Sequence, residues 1–376
     1  MSEFAAGPAG RIERVRALMV VRGYDAIVVR DEANLRWLTG VKGVFDYTFE
    51  FPHAAFITAD QCLFHTDSRS LNSFEENTPA DSPWVYDMDE GTIPGWVAGK
   101  IAANKCRVCA VEDDMQINFY QGIQRGLEDR SVACMLPLMH DDIRKMRAIK
   151  DAEEIELMRH AQSITDAAFQ HMLGFIKPGM TEKQVRNELE NFMFANGADS
   201  LAFGSIVASG PNTANPHAVP SDRVIEKGDF VLMDYGAGYC DYRSDMTRTV
   251  VMGEPTQEQL DLYALVRRTH EECVAAIHPG VEGNDIFKLS KKIIGDAGYG
   301  DYYNHGLGHG VGIDIHELPN FNRSKNSIEV GSVITMEPGV YLPGVGGVRL
   351  EDYGVVTENG YEPFTKTPHD LHVIDC

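Results

Sequence analysis

Residues 226–236, EKGDFVLMDYG, return at 329–339 as EVGSVITMEPG, an offset of 103 positions. Each copy runs through apolar and β-branched residues to a carboxylate, Asp234 in the first and Glu337 in the second, the pattern of a buried strand ending in an acid. An acid in that position is costly to bury unless something cationic meets it. Each copy then passes through a loop to a second acid, Asp245 after eleven residues and Glu351 after fourteen. Two acid pairs placed alike in a duplicated sequence predict one shared site.

The duplication extends upstream. Ile176-Lys177-Pro178-Gly179-Met180 matches Ile277-His278-Pro279-Gly280-Val281 at an offset of 101, Val185 matches Ile286 and Gly197 matches Gly298. The spacing of Ile155, Met158, Ala161, Ile164, Ala168 and Met172 predicts a helix that stops at Lys177-Pro178-Gly179. Thr181 with Gln184, and Thr256 with Gln259, have the spacing of capping boxes for further helices. Each half therefore reads helix, Pro-Gly turn, helix, loop, strand ending in an acid, loop, strand. Two copies of about a hundred residues are too few and too long for a solenoid. The expectation is one α/β (α+β) domain with an internal pseudo-twofold repeat.

A chain of 376 residues exceeds what one core usually serves, so two domains are expected. Residues 1–145 read as a small mixed α/β domain: a helix over Arg11–Arg22, strands at Ala26–Val29, Arg107–Val111 and Val132–Pro137, a hairpin from Ala54 to Thr66, and a helix near Trp96–Ala103. No spacing of acids and histidines there suggests catalysis. The polar run from His140 to Asp151 marks the boundary, and residues 146–376 form the duplicated domain.

A net charge of −22, with no basic stripe to offset it, argues against nucleic acid. There is no apolar run long enough to cross a bilayer, and the start, MSEFAAGPAGR, lacks the features of a signal peptide, so a cytoplasmic protein is expected. The seven cysteines are odd in number and scattered, which suits reduced, mostly packed thiols. Cys106 and Cys109 form a lone C-x-x-C within a predicted strand, a weak signal for metal or redox chemistry.

Beside the repeated acids lies HGLGHGVGIDIHELP, with His305, His309 and His316 among four glycines. Its spacing is not that of a dinucleotide fingerprint, and the chain has neither G-x-S-x-G nor H-E-x-x-H. Four carboxylates and a histidine make an oxygen-rich ligand set that suits Mn(II), Co(II), Fe(II) or Zn(II) better than copper or a thiolate-bound metal. About five ligands oversupply one ion with negative charge and match two. Paired ions roughly 3.5–4 Å apart make a water-derived nucleophile available near neutral pH, which implies hydrolysis. Glu351 and Asp352 are adjacent, and successive strand side chains point to opposite faces, so only one of them can serve such a site.

From residue 152 onward the chain resembles the pita-bread metallopeptidases. The match is carried by MDYGAGYCDYRSDMTRT, with Asp234 and Asp245, by HGLGHGVGIDIHE, with His309 and His316, and by ITMEPGVY and VRLED, with Glu337 and Glu351. With its N-terminal domain, similar to that of creatinases and prolidases, the whole chain is similar to the Xaa-Pro dipeptidase and aminopeptidase P branch. The resemblance implies five metal ligands, Asp234, Asp245, His309, Glu337 and Glu351, and so selects Glu351 over Asp352. It makes Asp245 and Glu351 the bridging carboxylates, with Asp234 on one ion and His309 and Glu337 on the other. Two divalent ions are implied, Mn(II) before Co(II), Zn(II) or Fe(II).

The resemblance also places His217 against the substrate, His316 at the tetrahedral intermediate, Tyr341 near the metal, and Arg349 where it supports the site or a substrate carboxylate. Glu337 would accept the proton of the nucleophile. The implied substrates are short Xaa-Pro peptides, and the implied assembly is a homodimer in which the N-terminal domain lies over the partner's active site and limits substrate length. Two other readings compete: a hydrolase of another small amide or cyclic amidine, as in ectoine hydrolases, and a pita-bread domain that binds without catalysis. The first is separated by substrate tests, the second by metal content.

Overall fold

The structure, a computed structural model, describes residues 7–42, 53–88, 91–321 and 327–375. Cys376 and the first six residues, to which some sequence expectations refer, lie outside the described set. The chain folds as two units, Met1–Arg147 and Ala148–Cys376.

The first unit is built on a five-stranded mixed sheet in the order Val85–Asp87, Cys62–His65, Ala54–Thr58, Ala26–Val29, Cys109–Val111. Ala54–Thr58 and Cys62–His65 are the expected antiparallel hairpin. Helices Ile93–Ala103 and Ile117–Asp129 bury Trp96, Val97, Ile101, Ile123 and Leu127 with Val28, Phe56 and Val111 of the sheet. The expected strand at Val132–Pro137 is not a continuous strand; its backbone pairs with the sheet at isolated bridges, Val108 to Met135 and Val111 to Leu138. Met135 and Met139 donate to the carbonyls of Arg107 and Val111, but Pro137 between them has no N–H for the intervening rung. The polar run before the second unit holds a short helix, Asp142–Arg147, that its composition did not announce.

In the second unit the repeat is structural. Helices Ala152–Phe175 and Glu182–Ala195 precede strands Ile206–Ser209, Phe230–Tyr235 and Met246–Met252; helices Gln257–Ala275 and Gly283–Asp296 precede strands Gly308–Gly310, Val333–Met336 and Asp352–Thr357. In each half the three strands lie side by side and antiparallel in that order. The capping boxes at Thr181/Gln184 and Thr256/Gln259 are both formed, and Asp151/Glu154 adds a third. Gly228 and Gly331, three residues into the two copies of the motif, have φ of 90° and 89°, so both strands are entered through the same left-handed turn.

Repeat-related side chains fill equivalent places in separate cores. Ile176, Val185, Val231 and Met233 lie in one cluster, and Ile277, Ile286, Ile334 and Met336 in another. Each such side chain contributes about 1.5–3 kcal/mol by leaving water. The halves are joined where the Glu351 N–H donates to the Thr247 carbonyl at 3.1 Å, an isolated bridge between the strand that follows Asp245 and the residue just before strand Asp352–Thr357.

The hairpin carrying Asp234 and Asp245 depends on a close approach. Ser244 Oγ receives the Ala237 N–H at 2.8 Å and shares a 2.7 Å hydrogen bond with Thr165 Oγ1 of the first helix. A Cβ on Gly236 would lie 1.9 Å from the Ser244 carbonyl oxygen. Gly236→Ala should therefore destabilise the second unit by more than about 2 kcal/mol. Gly174→Ala, in an exposed helix position with nothing within 4 Å of the new Cβ, should stabilise it by about 0.5–1 kcal/mol. Scanning calorimetry of the two variants checks the sign of each shift.

Candidate metal centre

Both acid pairs converge on one cavity of about 420 Å³, lined by Asp234, Asp245, His309, Glu337, Glu351, His217, His305, His316 and Arg349, with Phe203, Ile206, Pro216 and Ile315 as apolar wall. Asp234 lies within its strand and Glu337 directly after its own, while Asp245 and Glu351 each immediately precede the next strand. The chain thus delivers four carboxyls to the seam between the halves. Asp245, Glu351 and Asp234 are 4%, 2% and 9% exposed. Strand Gly308–Gly310 lies between neighbouring strands so tightly that a Cβ on Gly308 would stand 2.3 Å from the Thr335 carbonyl oxygen, which explains the glycines flanking His309.

Potential ligand atoms of Asp245, His309 and Glu351 lie within 4.8 Å of one another. His309 Nε2 is 3.6 Å from Asp245 Oδ2 and 3.5 Å from Glu337 Oε1. Its Nδ1 is 3.0 Å from the Gly310 carbonyl, which accepts the proton and leaves the Nε2 lone pair facing the acids. Burial holds this imidazole well down, to about 4, so it is neutral at pH 7. Burial, followed by the neighbouring carboxylates, pushes Asp245 and Glu351 well above the usual range. Burial likewise pushes Glu337 up to about 8 against the pull of Arg349.

Arg349 is committed to the site's framework. It donates to Asp234 Oδ2 at 2.5 Å, Tyr341 Oη at 2.8 Å, Thr247 Oγ1 at 3.0 Å and the Pro216 carbonyl at 3.3 Å. Thr247 Oγ1 in turn donates to Glu351 Oε2 at 2.7 Å. One guanidinium therefore faces four carboxyls, and Asp234 Oδ1 is buried without a hydrogen-bond partner. A lone pair left so, among acids held together against their repulsion and a neutral imidazole nitrogen turned toward them, is the donor set that divalent cations fit.

Every candidate residue reaches this cavity or touches a group that does. His217 and His316 stand exposed on its rim, with the His316 ring 4.3 Å from that of His309. Tyr341 is buried on the hairpin strand Gly339–Leu342, beneath Arg349. Asp352 points away, with Oδ1 on Arg248 at 2.7 Å and Oδ2 on His369 at 2.6 Å. His305 lines the cavity although no role was expected of it; its Nε2 meets Tyr341 Oη at 2.9 Å. Its place in the His-Gly stretch was the available signal.

The sequence matches Metallopeptidase family M24 over residues 156–358 and the Creatinase/Prolidase N-terminal domain over residues 11–149. It is 43% identical over 232 residues to the Xaa-Pro dipeptidase of Pyrococcus furiosus, covering 61% of this chain and 67% of that protein. Among solved structures it is similar to the Xaa-Pro dipeptidase from Bacillus anthracis, with a TM-score of 0.88 and 35% identity over 98% of this chain and 100% of that one. The X-Pro aminopeptidase from Thermotoga maritima follows at a TM-score of 0.85 and 30% identity, over 97% and 100%.

The crowded carboxyls predict how the chelated protein behaves. A carboxyl such as Glu337, raised from 4.5 to about 8 on folding, binds its proton more tightly in the native state. Its stability contribution is thus complete below pH 4.5 and lost as pH rises through 8. The chelated protein should melt at lower temperature at pH 8 than at pH 5. Asp245→Asn, which removes one like charge, should raise its melting temperature at pH 8 while lowering metal uptake measured by elemental analysis.

Proposed function

The chain belongs to metallopeptidase family M24, and from that premise we propose that it is an Xaa-Pro peptidase using two divalent ions, Mn(II) foremost, held by Asp234, Asp245, His309, Glu337 and Glu351. Its fold is that of the pita-bread enzymes with a creatinase-like N-terminal domain. The observation that carries the proposal is the convergence of four carboxyls and the free Nε2 of a neutral imidazole on one partly apolar cavity. When bound, the ions supply a water-derived nucleophile near neutral pH and polarise the scissile carbonyl.

The chain's own residues supply the rest. Asp245 and Glu351 would be shared by both ions, Asp234 would hold one of them, and His309 and Glu337 would hold the other. Glu337 takes the proton of the attacking nucleophile and returns it to the proline nitrogen as the C–N bond breaks. His316, on the rim beside His309, donates to the oxyanion that develops on the carbonyl. His217, exposed on the cavity rim, contacts the substrate. Arg349 acts as a positioning residue: with its donors on Asp234, Tyr341, Thr247 and Pro216, it keeps the first acid and the tyrosine in place.

Proline has a fixed φ and no N–H for an extended-strand contact, so a site must select it by shape. Phe203, Ile206, Pro216 and Ile315 give the cavity an apolar wall for the ring. We take the working protein to be a homodimer acting on short Xaa-Pro peptides. With Mn(II) loaded, Ala-Pro and Ala-Pro-Ala should be compared by product analysis. Cleavage of the dipeptide alone identifies a dipeptidase, release of alanine from the tripeptide an aminopeptidase, and cleavage of neither contradicts the proposal. Glu337→Ala should keep the fold by circular dichroism and lower kcat by at least about 10²-fold.

A further inference from the structure

Behind the catalytic seam, on the opposite face of the strand that begins after Glu351, a second group of ligand-type side chains comes together from three separate parts of the second unit. His270 comes from helix Gln257–Ala275, Asp352 opens strand Asp352–Thr357, and His369 comes from the C-terminal segment. We propose that His270, Asp352 and His369 form a transition-metal site distinct from the catalytic one, suited to Zn(II) or a divalent ion of similar softness, that fastens the C-terminal segment to the domain.

The geometry carries the assignment. The offered atoms of the three residues lie within 4.8 Å of one another. Asp352 Oδ2 is 2.6 Å from His369 Nε2 and 3.6 Å from His270 Nε2. These distances bracket the ~3.3 Å between donors that bonds of 2.0–2.1 Å give around a tetrahedral ion. Two imidazoles and one carboxylate are a familiar zinc donor set, with a fourth position left for water.

His270 supplies an independent observation. It is only 2% exposed, and neither of its ring nitrogens has a hydrogen-bond partner. A buried imidazole with no hydrogen bond at either nitrogen is unusual, and an ion between it and Asp352 accounts for it. The side chains around it are arranged as an outer shell would be. Arg248 holds Asp352 Oδ1 at 2.7 Å and donates to the carbonyls of Thr247, Glu351, Thr367 and Pro368, so the carboxylate is oriented with Oδ2 toward the histidines. The His369 side chain is 21% exposed, which leaves an entry route.

The same ion would have a mechanical role. The C-terminal segment is held by Tyr263 Oη donating to the His369 carbonyl at 3.2 Å, and by the Val251 N–H donating to the His372 carbonyl at 3.0 Å. A ligand from the segment, one from the helix and one from the strand beside Glu351 would close that attachment through a single ion.

The test is zinc content and thermal stability, neither of which depends on turnover. After chelation, re-equilibration with Zn(II) and gel filtration, the parent protein should carry one more zinc per chain than His369→Ala. In an Asp245→Asn background, which weakens the catalytic cluster, Zn(II) should raise the melting temperature, and adding His369→Ala should remove that rise. His369 is partly exposed, so its replacement leaves the core intact; His270→Gln provides the second ligand variant. Equal zinc content in the parent and His369→Ala overturns the proposal, as does a zinc-induced rise that survives in the Asp245→Asn/His369→Ala protein. Either result would leave the imidazoles as an edge-to-face packing pair with ring centroids 4.5 Å apart.

Discussion

Four carboxyls forced together out of water are the constraint on which the second unit is organised. Asp234, Asp245, Glu337 and Glu351 repel one another, burial raises the cost of charging them, and among the described residues Arg349 is the one guanidinium lining their cavity. A protein gains no stability from such a cluster, because isolated buried charge is among the most expensive things a fold can contain. The cluster persists because the surrounding structure over-determines it. Two cores of fully buried Val, Ile and Met side chains hold the strands, Thr247 bridges to Glu351, and Arg349 clamps Asp234. The stability that the cores supply is used in part to keep acids where cations can meet them.

Duplication explains how the chain reaches that arrangement. Each half delivers one acid at the end of a strand and a second just before the next strand, so a symmetric fold yields two pairs at its seam. Symmetry alone gives no direction. His217, His309 and His316 have no counterparts in the other half and all line the cavity, and on the proposed reading they distinguish an end for the ions from an end for the substrate. The walls contributed by Phe203, Ile206, Pro216 and Ile315 complete the asymmetry.

Much of this could be read from residues because it rests on local patterns. The capping pairs Thr181/Gln184 and Thr256/Gln259, the paired Pro-Gly turns and the acid-terminated strands are each set by a few neighbouring positions. What escaped the sequence is non-local. The segment Val132–Pro137 has strand-like composition, but one missing N–H at Pro137 breaks its ladder. The Arg349 clamp, the contact of His305 with Tyr341, and the grouping of His270 with Asp352 and His369 join residues that no spacing rule connects. Likewise, residue type left Glu351 and Asp352 indistinguishable and the family resemblance had to choose between them; in the structure the pleat turns Glu351 to the cavity and Asp352 to Arg248.

The central claim is that the duplicated acids and His309 hold two ions in one site. Anomalous diffraction from crystals grown with Mn(II) tests it most directly. The account predicts two manganese peaks in the cavity, both within bonding distance of Asp245 and Glu351, one also at Asp234 and the other also at His309 and Glu337. A fully active protein whose manganese lies outside this cavity, or that holds only one ion there, would contradict it.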